Sequence, residues 1–179
     1  MKVFRGGILL LLALPLAAQQ EQHMRTQTAP AAQAPQAVVQ HYAFLTAERE
    51  AIERGEGFGM ALAADKNGYP GPKHVLEMKK ELMLTAEQEA AMQKLKTDMK
   101  EKALAKGKDV LLAEKRLEEL FAQNKSAAEL REETYRVASL RAELRWVHLS
   151  AHLAAKKILT PAQIEAYQRI RHGAGAHAH

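Results

Sequence analysis

Two histidines, His148 and His152, stand four positions apart in a stretch of regular apolar periodicity. On a helix that spacing stacks two imidazoles one turn apart on one face, as two metal ligands on a single helix require. His74, in an earlier apolar segment, could bring a third imidazole, with Glu77 or Glu143 assisting. The set would suit divalent zinc, copper, nickel or cobalt. Equally, paired histidines serve as polar edge residues of a half-buried helix, and both readings stay open. Hydrolytic zinc chemistry is excluded by motif, because it needs Glu directly after the first His and the sequence reads His148-Leu149-Ser150-Ala151-His152.

Other candidate groups carry less. His172, His177 and His179 fall in a Gly and Ala rich tail, suited to weak, exchangeable binding of transition metals. Met60, Met78, Met83, Met92 and Met99 could offer thioethers to a soft metal, but Met92 and Met99 fall on a helical apolar row and read as core or as an adaptable surface. Ser126, Ser139 and Ser150 lack a glycine elbow, and Ser126 reads as a helix cap, so no catalysis is expected. Gly55-x-Gly57-x-Gly59 follows no strand and lacks the spacing of a dinucleotide or phosphate loop; it reads as a flexible hinge. No cofactor is required, and a divalent transition metal is the one the histidines could accept.

Composition narrows the class. Aromatic residues are 5% of 179, too few for a thick globular core. The abundance of Ala, Leu, Glu, Lys, Arg and Gln is that of long amphipathic helices. Cysteine is absent, which removes disulfides, thiolate ligands and a lipoprotein anchor. The net charge of +5 falls to +3 without Lys2 and Arg5, and signs interleave along the helices, so no nucleic-acid partner is expected.

Residues 1–18 place Lys2 and Arg5 before the apolar run Ile8 to Leu14 and small residues before Gln19. This is the pattern of a secretory signal peptide and implies a periplasmic or otherwise exported protein. Residues 19–45 read as a disordered linker containing Pro30 and Pro35, its His23 and Met24 solvated, with Thr46 capping a short helix to Arg54. Residues 46–171 read as one helical domain, and 172–179 as a flexible His-containing tail. After the Asn67 to Pro72 turn, a helix carrying His74, Val75, Met78 and Leu82 should end near Met83.

Two long helices dominate, Thr85 to about Ala122 and Ser126 to Ile158. A connection of Gln123, Asn124 and Lys125 makes them an antiparallel hairpin. Met92, Leu95, Met99, Ala103, Val110, Ala113, Leu117 and Leu120 should meet Leu130, Val137, Leu140, Leu144, Val147, Ala151, Ala154 and Ile158 along a coiled-coil-like seam. Gly107 should mark a bend. Trp146, Leu149 and Leu153 lie off the seam and need cover from the His74 helix, a second subunit or a client. Basic positions including Lys94, Lys100, Lys108, Arg131, Arg141 and Arg145 could surround that strip, or form solvated, salt-bridged faces.

One signal occurs twice: Leu84-Thr85-Ala86-Glu87-Gln88 and Leu159-Thr160-Pro161-Ala162-Gln163. Each reads as a capping box, and Leu159 can staple onto Ile164. With the leader and the absence of cysteine, these Leu-Thr-x-x-Gln pentads resemble the periplasmic family that contains Spy, CpxP and the heavy-metal resistance proteins ZraP and CnrX. Asn67 to Leu76 is similar to a segment of the metal-resistance branch. The resemblance spans roughly Gly55 to Arg171 and implies a dimeric cradle of bent antiparallel helices without enzymatic activity.

Three functions follow as expectations. The first is an ATP-independent chaperone or envelope-stress protein that binds unfolded or misfolded envelope proteins on its helices, with Trp146, Leu149, Leu153, Arg141 and Arg145 as client or dimer surface. The second is a heavy-metal binding or sensing protein using His74, His148 and His152. The third is a non-catalytic adaptor of a membrane stress sensor.

Overall fold

A computed structural model describes residues 35–173. The expected leader, the linker up to residue 34, and His177 and His179 lie outside the described residues. Contacts divide the chain into Met1–Val39 and Gln40–His179, and the architecture below is that of the second unit. The elements are all helices: α1 (Gln36–Glu53), α2 (Leu62–Asp65), α3 (Pro72–Glu77), α4 (Ala86–Ala122), α5 (Ala127–Ile158) and α6 (Pro161–His172). The chain is all-α over the described residues, and none of these helices is long and apolar enough to cross a membrane.

The pair α4 and α5 runs antiparallel, as the ties between them show. Gln88 Nε2 donates to the Ile158 carbonyl at 2.9 Å, Lys106 Nζ to Glu143 at 2.5 Å, and Arg141 pairs with Glu114 at 2.7 Å. The turn between them closes with the Lys125 N–H on the Leu120 carbonyl and the Asn124 N–H on Phe121, with Asn124 at φ 52°. That is the Schellman pattern with Asn, which tolerates the left-handed region, in the position glycine usually takes. Ser126 then starts α5 with a full capping box to Glu129.

The seam buries Met92, Ala103, Val110, Ala113 and Leu120 of α4 and Val137, Leu144, Ala151 and Ala155 of α5. Leu95, Met99, Leu117, Leu130, Leu140, Val147, Ala154 and Ile158 are only half-buried, so the row on α5 is turned slightly from the expected one. That turn places His148 in the row, between Leu144 and Ala151 and only 3% exposed. Two apolar clusters result. One joins Val75, Leu82, Met92, Ala155, Leu159 and Tyr167, and the other Ile52, Ala103, Val110 and Leu144.

The repeated pentads do more than cap. Thr85 with Gln88 and Thr160 with Gln163 form the expected boxes. In addition the two glutamine amides face each other, each Nε2 donating to the other's Oε1 at 2.9 Å. Gln163 Nε2 also donates to the Leu82 carbonyl at 3.1 Å. The start of α4 is thereby tied to the start of α6, and Leu159 and Ile164 meet in the same apolar cluster.

Three expectations are corrected. The linker assigned to 19–45 is helical from Gln36, because no Pro or Gly interrupts the chain between Pro35 and Arg54, and the Pro35 carbonyl receives the first N–H bonds from Val38 and Val39. Thr46 consequently sits inside α1, its hydroxyl donating to the Tyr42 carbonyl. The helix carrying His74 ends at Glu77, with turns continuing to a second Schellman closure at Met83, φ 49°. Gly107 lies within a continuous α4 and is buried where a Cβ would lie 2.9 Å from the Ile52 carbonyl oxygen. Its missing side chain lets α1 lie directly on α4.

Candidate functional site

A cleft of about 490 Å³ opens where the loop after α1, α2, the start of α3, the end of α6, the first half of α4 and the last third of α5 come together. His74, His148 and His152 all line it. The glycines read as a hinge have separate structural uses. Gly55, at φ 68°, ends α1 with the Glu56 N–H on the Ala51 carbonyl and its own N–H on Ile52. Gly57 packs against His148, where a Cβ would meet Nδ1 at 3.2 Å. Gly71 packs against His152, where a Cβ would meet the ring at 2.9 Å. Both imidazoles therefore pack against backbone that has no side chain to exclude them.

The three rings are held differently. His152 Nδ1 donates to the Tyr69 carbonyl at 2.6 Å, which leaves its Nε2 as the acceptor nitrogen of the neutral ring. Arg171 has only donors, so its 3.1 Å contact makes His74 Nε2 an acceptor and puts the His74 proton on Nδ1, which meets Glu77 at 2.9 Å. That bond holds the Glu77 carboxyl below its ordinary value. His148 Nε2 is buried without a hydrogen-bond partner in the structure. Among the described residues no group of three or more His, Asp or Glu side chains is arranged to hold a metal ion. Glu143, the other suggested helper, is taken up by Lys106.

Three residues of the site carried no signal in the sequence. Asp65, 7% exposed, accepts the Tyr167 hydroxyl at 2.6 Å and faces Arg171 Nε at 3.3 Å. Burial first, and the Asp65 carboxylate second, push the Tyr167 phenol well above its ordinary range. Tyr167 and Arg171 are one turn apart on α6, yet their partner lies about a hundred positions earlier, so no local pattern marks the group.

Both His148 and His152 are held below the usual histidine value. For His148 the main cause is burial, with the neighbouring His152 charge adding; for His152 burial outweighs the Tyr69 carbonyl. The folded state thus prefers both rings neutral, and near neutrality the unfolded chain binds more protons. Their contribution is fully present above the unfolded value of about 6.5 and is lost as pH falls through the lowered folded values. The thermal midpoint should therefore drop as the buffer is taken from about pH 7.5 to about pH 5. His148→Gln should flatten that drop; an unchanged slope would contradict the assignment.

The expected client surface is divided. Trp146 is 58% and Leu153 40% exposed, and Leu149 is half-buried. Arg145 is exposed with no carboxylate on it among the described residues. Arg141 is not available in the same way, since it bridges Glu48 of α1 at 3.1 Å and Glu114 of α4 at 2.7 Å. Lys94 is likewise paired with Asp98.

A second hollow, about 520 Å³, lies along α1 and α4 against Arg49, Glu114, Lys115, Leu117, Glu118 and Phe121. Its charges balance and it holds no histidine, so the chemistry concentrates in the first cleft. No family model, curated protein or solved structure matches this chain.

Proposed function

We propose that this chain is an exported, non-catalytic binding protein that holds apolar segments of unfolded envelope polypeptides against one face of α5, without nucleotide. The observation that carries the reading is a row at helical spacing on α5, in which Tyr135, Ser139, Ala142, Trp146 and Leu153 are exposed and Leu149 is half-buried among the described residues. Three of its large members stay open to solvent, Tyr135 at 63% exposed together with Trp146 and Leu153. Covering Trp146 and Leu153 with a client would contribute on the order of 2–3 kcal/mol. That range suits weak, reversible capture spread over several contacts.

Charge along the row adds a preference. Arg131 lies over the Tyr135 ring at 5.6 Å, and Arg145 stands next to Trp146 in sequence. Clients with acidic residues flanking their apolar segments should be held best. Two copies that set these rows side by side would form the cradle that the family resemblance implies.

The test is suppression of aggregation of a chemically denatured client in the absence of ATP. Equimolar protein should suppress it, and Trp146→Ser combined with Leu153→Ser should need several-fold more protein while keeping full helicity by circular dichroism. No suppression at several-fold excess of the unaltered chain would reject the proposal.

A further inference from the structure

We propose that the cleft beside His148 and His152 is a binding site for a small amphipathic anion, a short apolar body carrying a carboxylate or phosphate. The site is separate from the α5 row and does not rest on the client-binding reading.

The charge of the lining comes first. Arg54, Lys73, Lys96, Lys100 and Arg171 line the cleft, against two carboxylates, Glu56 and Asp65. Three of these cations have carboxylates of their own, Arg54 with Glu56 at 3.3 Å, Arg171 with Asp65 at 3.3 Å and Lys73 with Glu77 at 4.0 Å, so the excess charge rests on the two lysines of α4. Lys96 and Lys100 have no acid on them among the described residues, and they stand one turn apart on α4, where like charges repel by about 0.2–0.5 kcal/mol. An anion between the two ammonium groups converts that repulsion into attraction. A divalent cation would meet the same field as a barrier.

Apolar side chains supply the second requirement. Phe58, Leu62 and Met99 line the same space, and Phe58 and Leu62 are 40% and 50% exposed. Phe58 is also held at φ 37°, a conformation costing on the order of 1 kcal/mol or more for a bulky residue. Its ring rests against Phe44 at 5.2 Å, which fixes it at the mouth of the cleft. A volume of about 490 Å³ is in the range of pockets for small organic ligands. The wall behind these groups is formed by His148 and His152.

Titration calorimetry on the full chain, in the presence of EDTA, tests the proposal with decanoate, decyl phosphate, decyltrimethylammonium and acetate as probes. One decanoate or one decyl phosphate should bind per chain, and the tighter of the two identifies the head group. Decyltrimethylammonium should not bind, and acetate should bind roughly tenfold or more weakly because it lacks the apolar body. Lys96→Glu with Lys100→Glu should weaken the anions roughly tenfold or more with helicity unchanged, whereas Trp146→Ser should leave them as they were. The proposal is overturned if neither anion binds, if the cationic probe binds equally well, or if the charge reversal has no effect. It is also overturned if several molecules adsorb per chain and are lost with Trp146→Ser.

Discussion

Gln88→Leu and Gln163→Leu should each lower stability by about 2–4 kcal/mol, and the double variant should cost clearly less than the two together. The reason is that the two amides are saturated by each other and by the backbone. Gln88 Oε1 accepts from the Thr85 N–H and from Gln163, while its Nε2 donates to Gln163 and to the Ile158 carbonyl. Gln163 does the same with the Thr160 N–H and the Leu82 carbonyl. All four polar capacities of each side chain are used in a partly buried place. Replacing one by Leu leaves the other with a donor and an acceptor that water reaches poorly, which costs more than the bond alone contributes. Once one is gone, removing the second relieves that orphan. Urea unfolding of the two singles and the double closes the cycle. Additive losses, or losses below about 0.5 kcal/mol as at an ordinary surface site, would show that the pair is incidental.

A second large effect is expected at Gly107, where the usual rule should reverse sign. Gly→Ala inside a helix ordinarily stabilises by about 0.5–1 kcal/mol through lost freedom of the unfolded chain. Here the added methyl group would lie 2.9 Å from both the Ile52 carbonyl oxygen and its Cγ2. A carbonyl cannot turn away as a flexible side chain can, so α1 must lift from α4. That movement opens the packing of Ile52 with Val110 and Leu144 and strains the tie from Arg141 to Glu48. Gly107→Ala should therefore destabilise by about 2 kcal/mol net. Amide hydrogen exchange should show lost protection in the second half of α1 while α5 stays protected. A stabilised variant with α1 protected would mean that the approach of the two helices is looser than the distances say.

How much of this could be read beforehand depended on the range of the interaction. The caps at Thr85, Ser126 and Thr160 are local, made by residues three apart, and the residue types alone announce them. The hairpin follows from a three-residue connection and a shared apolar period. The pairing of Gln88 with Gln163 was out of reach, because it depends on how two helix starts, seventy-five positions apart, are brought together. The same holds for Asp65, Tyr167 and Arg171. Gly57, Gly71 and Gly107 were visible as glycines, but their use is to admit His148, His152 and Ile52, and a sequence does not say what will approach a missing side chain. His148 was legible as half of a pair and illegible as a member of the buried row. The exposed part of α1 was misread because the prolines before it resemble a tether, while the uninterrupted residues after Pro35 carry the helix.

The histidine cleft and the α5 row are therefore two different surfaces, one a cationic cleft, the other an apolar, open helix face. Trp146 is the only tryptophan of the chain, which gives the second surface its own spectroscopic reporter. The most direct measurement is the emission of Trp146 during addition of an unfolded client that contains no tryptophan. The account predicts a blue shift and reduced quenching by iodide that saturate at the same ratio at which aggregation is suppressed. Suppression of aggregation with the Trp146 emission unmoved would contradict it, because the client would then be held somewhere other than the exposed face of α5.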